Sequence, residues 1–161
     1  MAMPTTGKIG SPLVGTLPFL LPFTVYVLHT IEEMQGFAAW ATRHFGPETT
    51  SMFAGYHIPL MLLVLLCSWR AVHQAQHGAW VVLATAFQWQ FGVNALFHLS
   101  TWAIYGEYSP GAVTAAVVSI PATVAYLAWI RREERITTRE LVIAIIVGTL
   151  IAAGAIGFLF L

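Results

Sequence analysis

The chain has 161 residues, 58% hydrophobic and only 9% charged, with a formal net charge of zero and a mean hydropathy of +0.75. Soluble domains carry roughly 25% charged residues, so the composition excludes an ordinary soluble fold and predicts an integral membrane protein. The balanced charge offers nothing for nucleic acid to bind.

Five apolar segments follow one another, at about residues 13–34, 52–69, 79–104, 112–130 and 141–161. A helix needs roughly 20 residues at 1.5 Å rise to cross the hydrocarbon core, and each segment meets or nearly meets that length. The expected fold is therefore all-α, a single transmembrane domain over residues 1–161. It is a polytopic bundle of about five transmembrane helices. The first segment has only Lys8 ahead of it and no clear small-residue cleavage site, so it reads as a span and not a cleaved signal. Pro18 and Pro22 are expected to kink it, which membranes tolerate when neighbours satisfy the freed backbone groups. Residues 36–45 read GFAAWATRHF, with Phe37, Trp40, Ala41 and His44 at helical spacing and Gly46-Pro47 behind them. This predicts a short amphipathic helix in the interface, a connector or a lid. Cys67, the single cysteine, is expected to pack as a small hydrophobe in the second segment. His73 and His77 form an i,i+4 pair beyond it and read as loop histidines. Pro121 is a further expected kink, and Arg131 to Glu140 reads as a solvated charged loop. Thr137 with Glu140 predicts a capping box, and Gly148, Ala152, Ala153 and Gly157 a closely packed helix face.

Five spans place Lys8, Arg70, Arg131, Arg132, Arg135 and Arg139 on one side and only Arg43 on the other. The positive-inside rule then makes the N-terminus cytoplasmic and the C-terminus external, with a bacterial inner membrane as the default location.

The same topology gathers polar residues at one depth. His29 lies about 7 Å below the outer end of its span, and His98 about 9 Å. His57 opens the second span on the same side, and Asn94 is one turn deeper than His98. His29, Glu32 and Glu33 are i,i+3 and i,i+4, so they are expected on one helix face. Gln90, Asn94 and His98 recur every four residues as a polar stripe, with Trp102 continuing it outward. Ionisable groups at membrane depth persist mainly where they pair, line a cavity or do chemistry. There is no aspartate, so every carboxylate side chain is one of seven glutamates.

HTIEE at residues 29–33 together with NALFH at residues 94–98 resembles the HXXEE-motif membrane protein family, small helical proteins that also carry an NxxxH motif. The resemblance implies His29, Glu32, Glu33, Asn94 and His98 as the functional set. His57 joins it on depth alone.

Three imidazoles and two carboxylates suit a divalent transition metal, zinc or iron. The expected ligands are His29, His57, His98 and one of Glu32 and Glu33. The other glutamate would serve as general base or bridge a second metal. Asn94 would orient a ligand or hold a substrate oxygen, with Tyr26, Gln90 and Trp102 around them. The leading expectation is thus a membrane metalloenzyme, a hydrolase or an oxidoreductase, with a lipid-like or apolar small-molecule substrate drawn from the bilayer. A metal-free acid–base isomerase using a buried Glu/His pair is the alternative. A small transporter or haem-binding protein is the third. Homo-oligomerisation is open for so small a bundle.

Overall fold

A computed structural model describes residues 14–160. Lys8, Leu13 and Leu161, which entered the expected charge count and span ends, lie outside the described residues. Among the described residues all regular structure is helical. A 3-10 stretch, Val14–Leu20, leads into α1 (Leu21–Glu33), followed by α2 (Phe37–His44) and α3 (Thr50–Gln74). Then come α4 (Ala79–Tyr105), α5 (Ala112–Arg132) and α6 (Thr138–Phe158).

Proline accounts for two irregularities. Pro22 offers no N–H to the carbonyl of Pro18, so the α-helical ladder cannot reach back across it, and the residues before it wind as a 3-10 helix. The 3-10 stretch and α1 together rise roughly 33 Å at about 2.0 and 1.5 Å per residue. In α5, Pro121 leaves the carbonyl of Val117 without its usual partner, and Ala115–Ser119 widen into a π turn directly before it. Both expected kinks are therefore changes of helix type.

The second apolar segment continues as helix five residues past its expected end at Trp69. Ala71 and Val72 are buried there with Phe19, Ile130 and Ile136, so packing carries the helix on. His73 stays in α3, whereas His77 has left it with φ +50° and bonds the Glu140 carboxylate at 3.2 Å. Of the two expected loop histidines, His77 lies in the loop and His73 in the last turn of α3.

Helix α4 is central and packs on α1, α3, α5 and α6. A helix wrapped in this way can carry Gln88, Gln90, Asn94 and His98 without showing them to lipid. Among the described residues three helices, α3, α5 and α6, are long and apolar enough to cross a membrane by length and composition. They leave Leu62, Leu66, Val117, Val124, Ile146 and Leu150 exposed outward, as a membrane protein does. Gly148 lets α6 approach α4 closely, because a Cβ there would lie 2.3 Å from the Ala86 carbonyl oxygen. Ala152 is buried on the same face, but Ala153 and Gly157 are exposed. The expected small-residue face is thus half used.

The loops fix which ends lie together. The His77 N–H donates to the Arg135 carbonyl at 2.8 Å, Arg135 donates to the Ala75 carbonyl at 3.1 Å, and Thr137 and Glu140 form the expected capping box. The opposite end collects the C-termini of α1, α4 and α6, the N-termini of α3 and α5, and all of α2. There Phe37, Trp40 and Ala41 of α2 are buried with Phe53, and Phe45, Phe97 and Leu159 pack around them. Cys67 is buried among Val25, Tyr26, Val64, Phe87 and Phe91.

Candidate metal centre

Glu33, the last residue of α1 and 5% exposed, is the hub of the polar cluster. Its Oε1 lies 3.2 Å from His98 Nε2 and 3.5 Å from His29 Nε2. Its Oε2 lies 3.5 Å from His57 Nε2. The two histidine Nε2 atoms of α1 and α4 are themselves 3.2 Å apart. Asn94 Nδ2 stands 3.0 Å from His29 Nε2. Five residues of three helices therefore meet at one point, and His29, Glu33 and His98 form a group close enough to share a metal ion.

The outer ring nitrogens are all engaged. Thr114 Oγ1 directs its one hydrogen to the Gly111 carbonyl at 3.2 Å, so at 2.8 Å it can accept the Nδ1–H of His29. His57 Nδ1 can only donate to the Phe53 carbonyl, 2.9 Å away. Ser109 Oγ lies 3.0 Å from His98 Nδ1. A proton on Nδ1 leaves the Nε2 lone pair of a neutral ring pointing inward. At His29 and His57 that lone pair faces a Glu33 oxygen. Lone pairs facing a carboxylate need a positive charge between them, either further protons or a cation.

Glu32 points elsewhere. Neighbouring residues on a helix diverge by about 100°, so the two glutamates of HTIEE cannot serve one point, contrary to the shared face expected from the sequence. Glu32 Oε1 accepts from the Tyr108 hydroxyl and from the Gly111 and Val113 N–H groups, both at 3.1 Å. Its Oε2 accepts the Thr114 N–H at 2.7 Å. These are the free N–H groups that open α5, where a carboxylate is favoured. Glu32 fastens α1 to α5, and Thr114 then presents its hydroxyl to His29.

Gly111 completes this support. Its φ is +105°, and a Cβ there would lie 2.7 Å from His29 Cε1 and 2.8 Å from His98 Cε1. The backbone thus touches both rings. Ser109, Gly111 and Thr114 were missed from sequence; they are common small residues at a spacing that marks no motif.

Beside the cluster lies a cavity of about 300 Å³, lined by His29, Glu33, His57, Asn94 and His98 at one end. Tyr26, Leu60, Gln90 and Phe91 line it deeper, with Phe37 and Phe97 above and residues 154–156 and 158 of α6, with Leu159 after it, as the far wall. The α6 wall was not expected either. Trp102 stays outside, 43% exposed and edge-on to Tyr108.

His44 is stacked on Tyr105 and bonds Glu107 Oε2 at 3.0 Å, while Arg43 bonds Oε1. These contacts tie α2 to the loop after α4, and they hold the Glu107 carboxyl below its usual range, the Arg43 hydrogen bond first. A depressed folded pKa gives a tie that is complete above the ordinary carboxylate pKa and lost as pH falls through the lower folded value. Amide exchange in residues 37–44 should accordingly rise in acid, and Glu107→Gln should raise it at neutral pH. An α2 equally protected in both cases would exclude this role.

A family model described as "Protein of unknown function with HXXEE motif" matches residues 20–126, a stretch that includes every side chain of the cluster and its supports. No curated protein and no solved structure matches the chain.

Proposed function

The chain belongs to the HXXEE-motif family, and from that premise we propose that it is a membrane-embedded, metal-dependent enzyme acting on a lipid-like or other apolar substrate. One observation carries this reading. His29 Nε2, His98 Nε2 and Glu33 Oε1 are separated by 3.2, 3.2 and 3.5 Å. Three ligands bonded at about 2.1 Å to a tetrahedral ion stand about 3.4 Å apart. Two histidines and one carboxylate with open positions suit zinc or non-haem iron. Such an ion polarises a substrate oxygen or activates a bound water. His57 braces the second oxygen of Glu33, or supplies a fourth ligand, and Asn94 is placed to hold a substrate oxygen.

Five crossings fit this reading: α1 with its 3-10 lead, α3, α4, α5 and α6, with α2 in the interface. Arg70, Arg131, Arg132, Arg135 and Arg139 lie toward the end away from the cluster. The positive-inside rule makes that end cytoplasmic and the C-terminus external; the membrane proposed is a bacterial inner membrane.

A metal-free acid–base enzyme is the second reading. It is favoured by the Asn94 amide, which occupies the His29 lone pair that a metal would use. In that case Glu33 and His29 exchange the proton. Bis-histidine haem suits the geometry poorly, since trans ligands stand about 4 Å apart across an ion with ~2.0 Å bonds and these nitrogens are 3.2 Å apart.

Elemental analysis of the detergent-purified protein separates the readings. About one zinc or iron per chain is expected, falling to background in a His29→Ala/His98→Ala double variant. Metal-free protein even after reconstitution would exclude the metalloenzyme and leave the acid–base reading.

A further inference from the structure

Two polar atoms beside the cavity take no part in the cluster. Tyr26 Oη and Gln90 Oε1 are buried without a hydrogen-bond partner. Their side chains are 3% and 6% exposed, and both residues line the cavity. Buried polar atoms are nearly always paired, so two orphans on one cavity wall indicate what fills it. Tyr26 lies three residues inward of His29 and Gln90 four residues inward of Asn94, about 5 Å deeper in each case. The Tyr26 ring is stacked on Phe91 with centroids 5.0 Å apart and rests against His57 at 5.8 Å, which limits where its hydroxyl can turn. A phenol donates and an amide oxygen accepts, and a ligand hydroxyl, which does both, is complementary to either. Of the cluster residues His57 lies against the Tyr26 ring, and His29 is about one turn further out. Apart from His29, Glu33, His57 and His98, no charged side chain lines the cavity.

The way in is sideways. Leu60 of α3 and Gly154 and Ala155 of α6 wall the cavity. Both helices pack extensively on α4 but little on each other. At the outer end the gap is bridged by Tyr56 and Phe158, with centroids 5.8 Å apart. Further in, Gly154 is exposed, and a Cβ added to it would meet nothing within 4 Å. Both helices are among those apolar enough to face lipid.

We propose that the cavity binds a single-chain amphiphile with a neutral hydroxyl. It slides in from the bilayer between α3 and α6 and is anchored by Tyr26 and Gln90, one to two turns beneath the His29–Glu33–His98 cluster. The inference rests on reading this cavity as a substrate site; a molecule held there presents the atoms about 5–12 Å from its hydroxyl to the cluster.

Saturation binding of tritiated 1-dodecanol and tritiated dodecyl methyl ether to the full-length protein in nanodiscs tests it, before and after chelator treatment. The ether accepts a hydrogen bond but cannot donate one. The alcohol is expected to bind about tenfold more tightly than the ether, the worth of one hydrogen bond to a buried partner. Gln90→Leu should erase that difference, and the near-isosteric Tyr26→Phe should weaken both ligands about fivefold. Gly154→Leu, which projects into the lateral gap, should abolish saturable binding of both while leaving the gel-filtration profile unchanged. Equal binding of alcohol and ether by the unmodified protein would mean that the two atoms hold only water, and would overturn the proposal. So would unchanged alcohol binding in both the Tyr26 and the Gln90 variants. Metal content measured on the same samples keeps the two readings apart. Alcohol selectivity in metal-free protein supports this inference while removing the metalloenzyme, and metal-loaded protein blind to the hydroxyl removes this inference alone.

Discussion

Glu33→Gln is expected to reduce bound metal to less than a tenth of the unmodified protein's content, while Glu32→Gln keeps it. The two residues are chain neighbours and chemically identical, so the contrast isolates geometry. Glu33 supplies an oxygen to three imidazoles, within 3.2–3.5 Å of each. An amide there puts a neutral group, and in one orientation a donor, where the cluster needs an anion. Losing a direct ligand should exceed the 10- to 100-fold loss typical of a supporting partner, so dilute metal would no longer fill the site. Glu32 instead neutralises the N–H groups opening α5 and accepts the Tyr108 hydroxyl. Burial, together with the Glu32 carboxylate, pushes the Tyr108 hydroxyl up to about 12, so the phenol remains a donor throughout the physiological range. Glu32→Gln should therefore cost about 1–2 kcal/mol of stability, the worth of a well-placed anion at a helix N-terminus, and leave metal content intact. Thermal unfolding in detergent with elemental analysis of each variant checks both. Metal lost from the Glu32 variant and kept by the Glu33 variant would reverse the assignment.

The contrast also shows how far the sequence could be read. Apolar run length locates α3, α5 and α6 because their outer faces must be apolar wherever lipid touches them. The same rule misjudges ends: α3 runs on to Gln74 because Ala71 and Val72 find a buried surface, and no run length records tertiary packing. The depth argument singles out His57, and the structure places its Nε2 3.5 Å from Glu33. Spacing on one helix was less informative. Residues i+3 and i+4 both count as one face at the resolution of a pattern, yet the 100° between them sends Glu32 to α5 and Glu33 to the cavity. The supports were illegible for another reason. Ser109, Gly111 and Thr114 act through one hydroxyl, one absent side chain and one more hydroxyl, and each depends on how α5 begins against α1. Nothing local marks that. The orphaned atoms of Tyr26 and Gln90 are likewise a property of the packed cavity, although both residues lie on faces that the sequence marks as polar.

Gly111→Ala should be among the most damaging single-methyl changes in the chain, and Gly106→Ala is its control. Both glycines have positive φ, +105° and +62°, so alanine at either is strained by about 1–2 kcal/mol. At Gly106 a Cβ meets nothing within 4 Å, and strain is the whole effect. At Gly111 the same carbon would press on both imidazoles at once, at 2.7 and 2.8 Å. Neither ring can retreat freely, since His29 is held by Thr114 at 2.8 Å and His98 by Ser109 at 3.0 Å. Adding the cost of overpacking, roughly 1–3 kcal/mol, gives a total on the order of 3 kcal/mol for Gly111→Ala. The rings must also move apart or tilt, so metal affinity should fall with stability, whereas Gly106→Ala should leave affinity unchanged. Thermal unfolding gives the first quantity and competition with a chelator of known affinity the second. Equal losses in the two variants would mean that the backbone at Gly111 does not set the spacing of the rings. A larger stability loss with unaltered metal affinity would separate the fold's use of this contact from the site's.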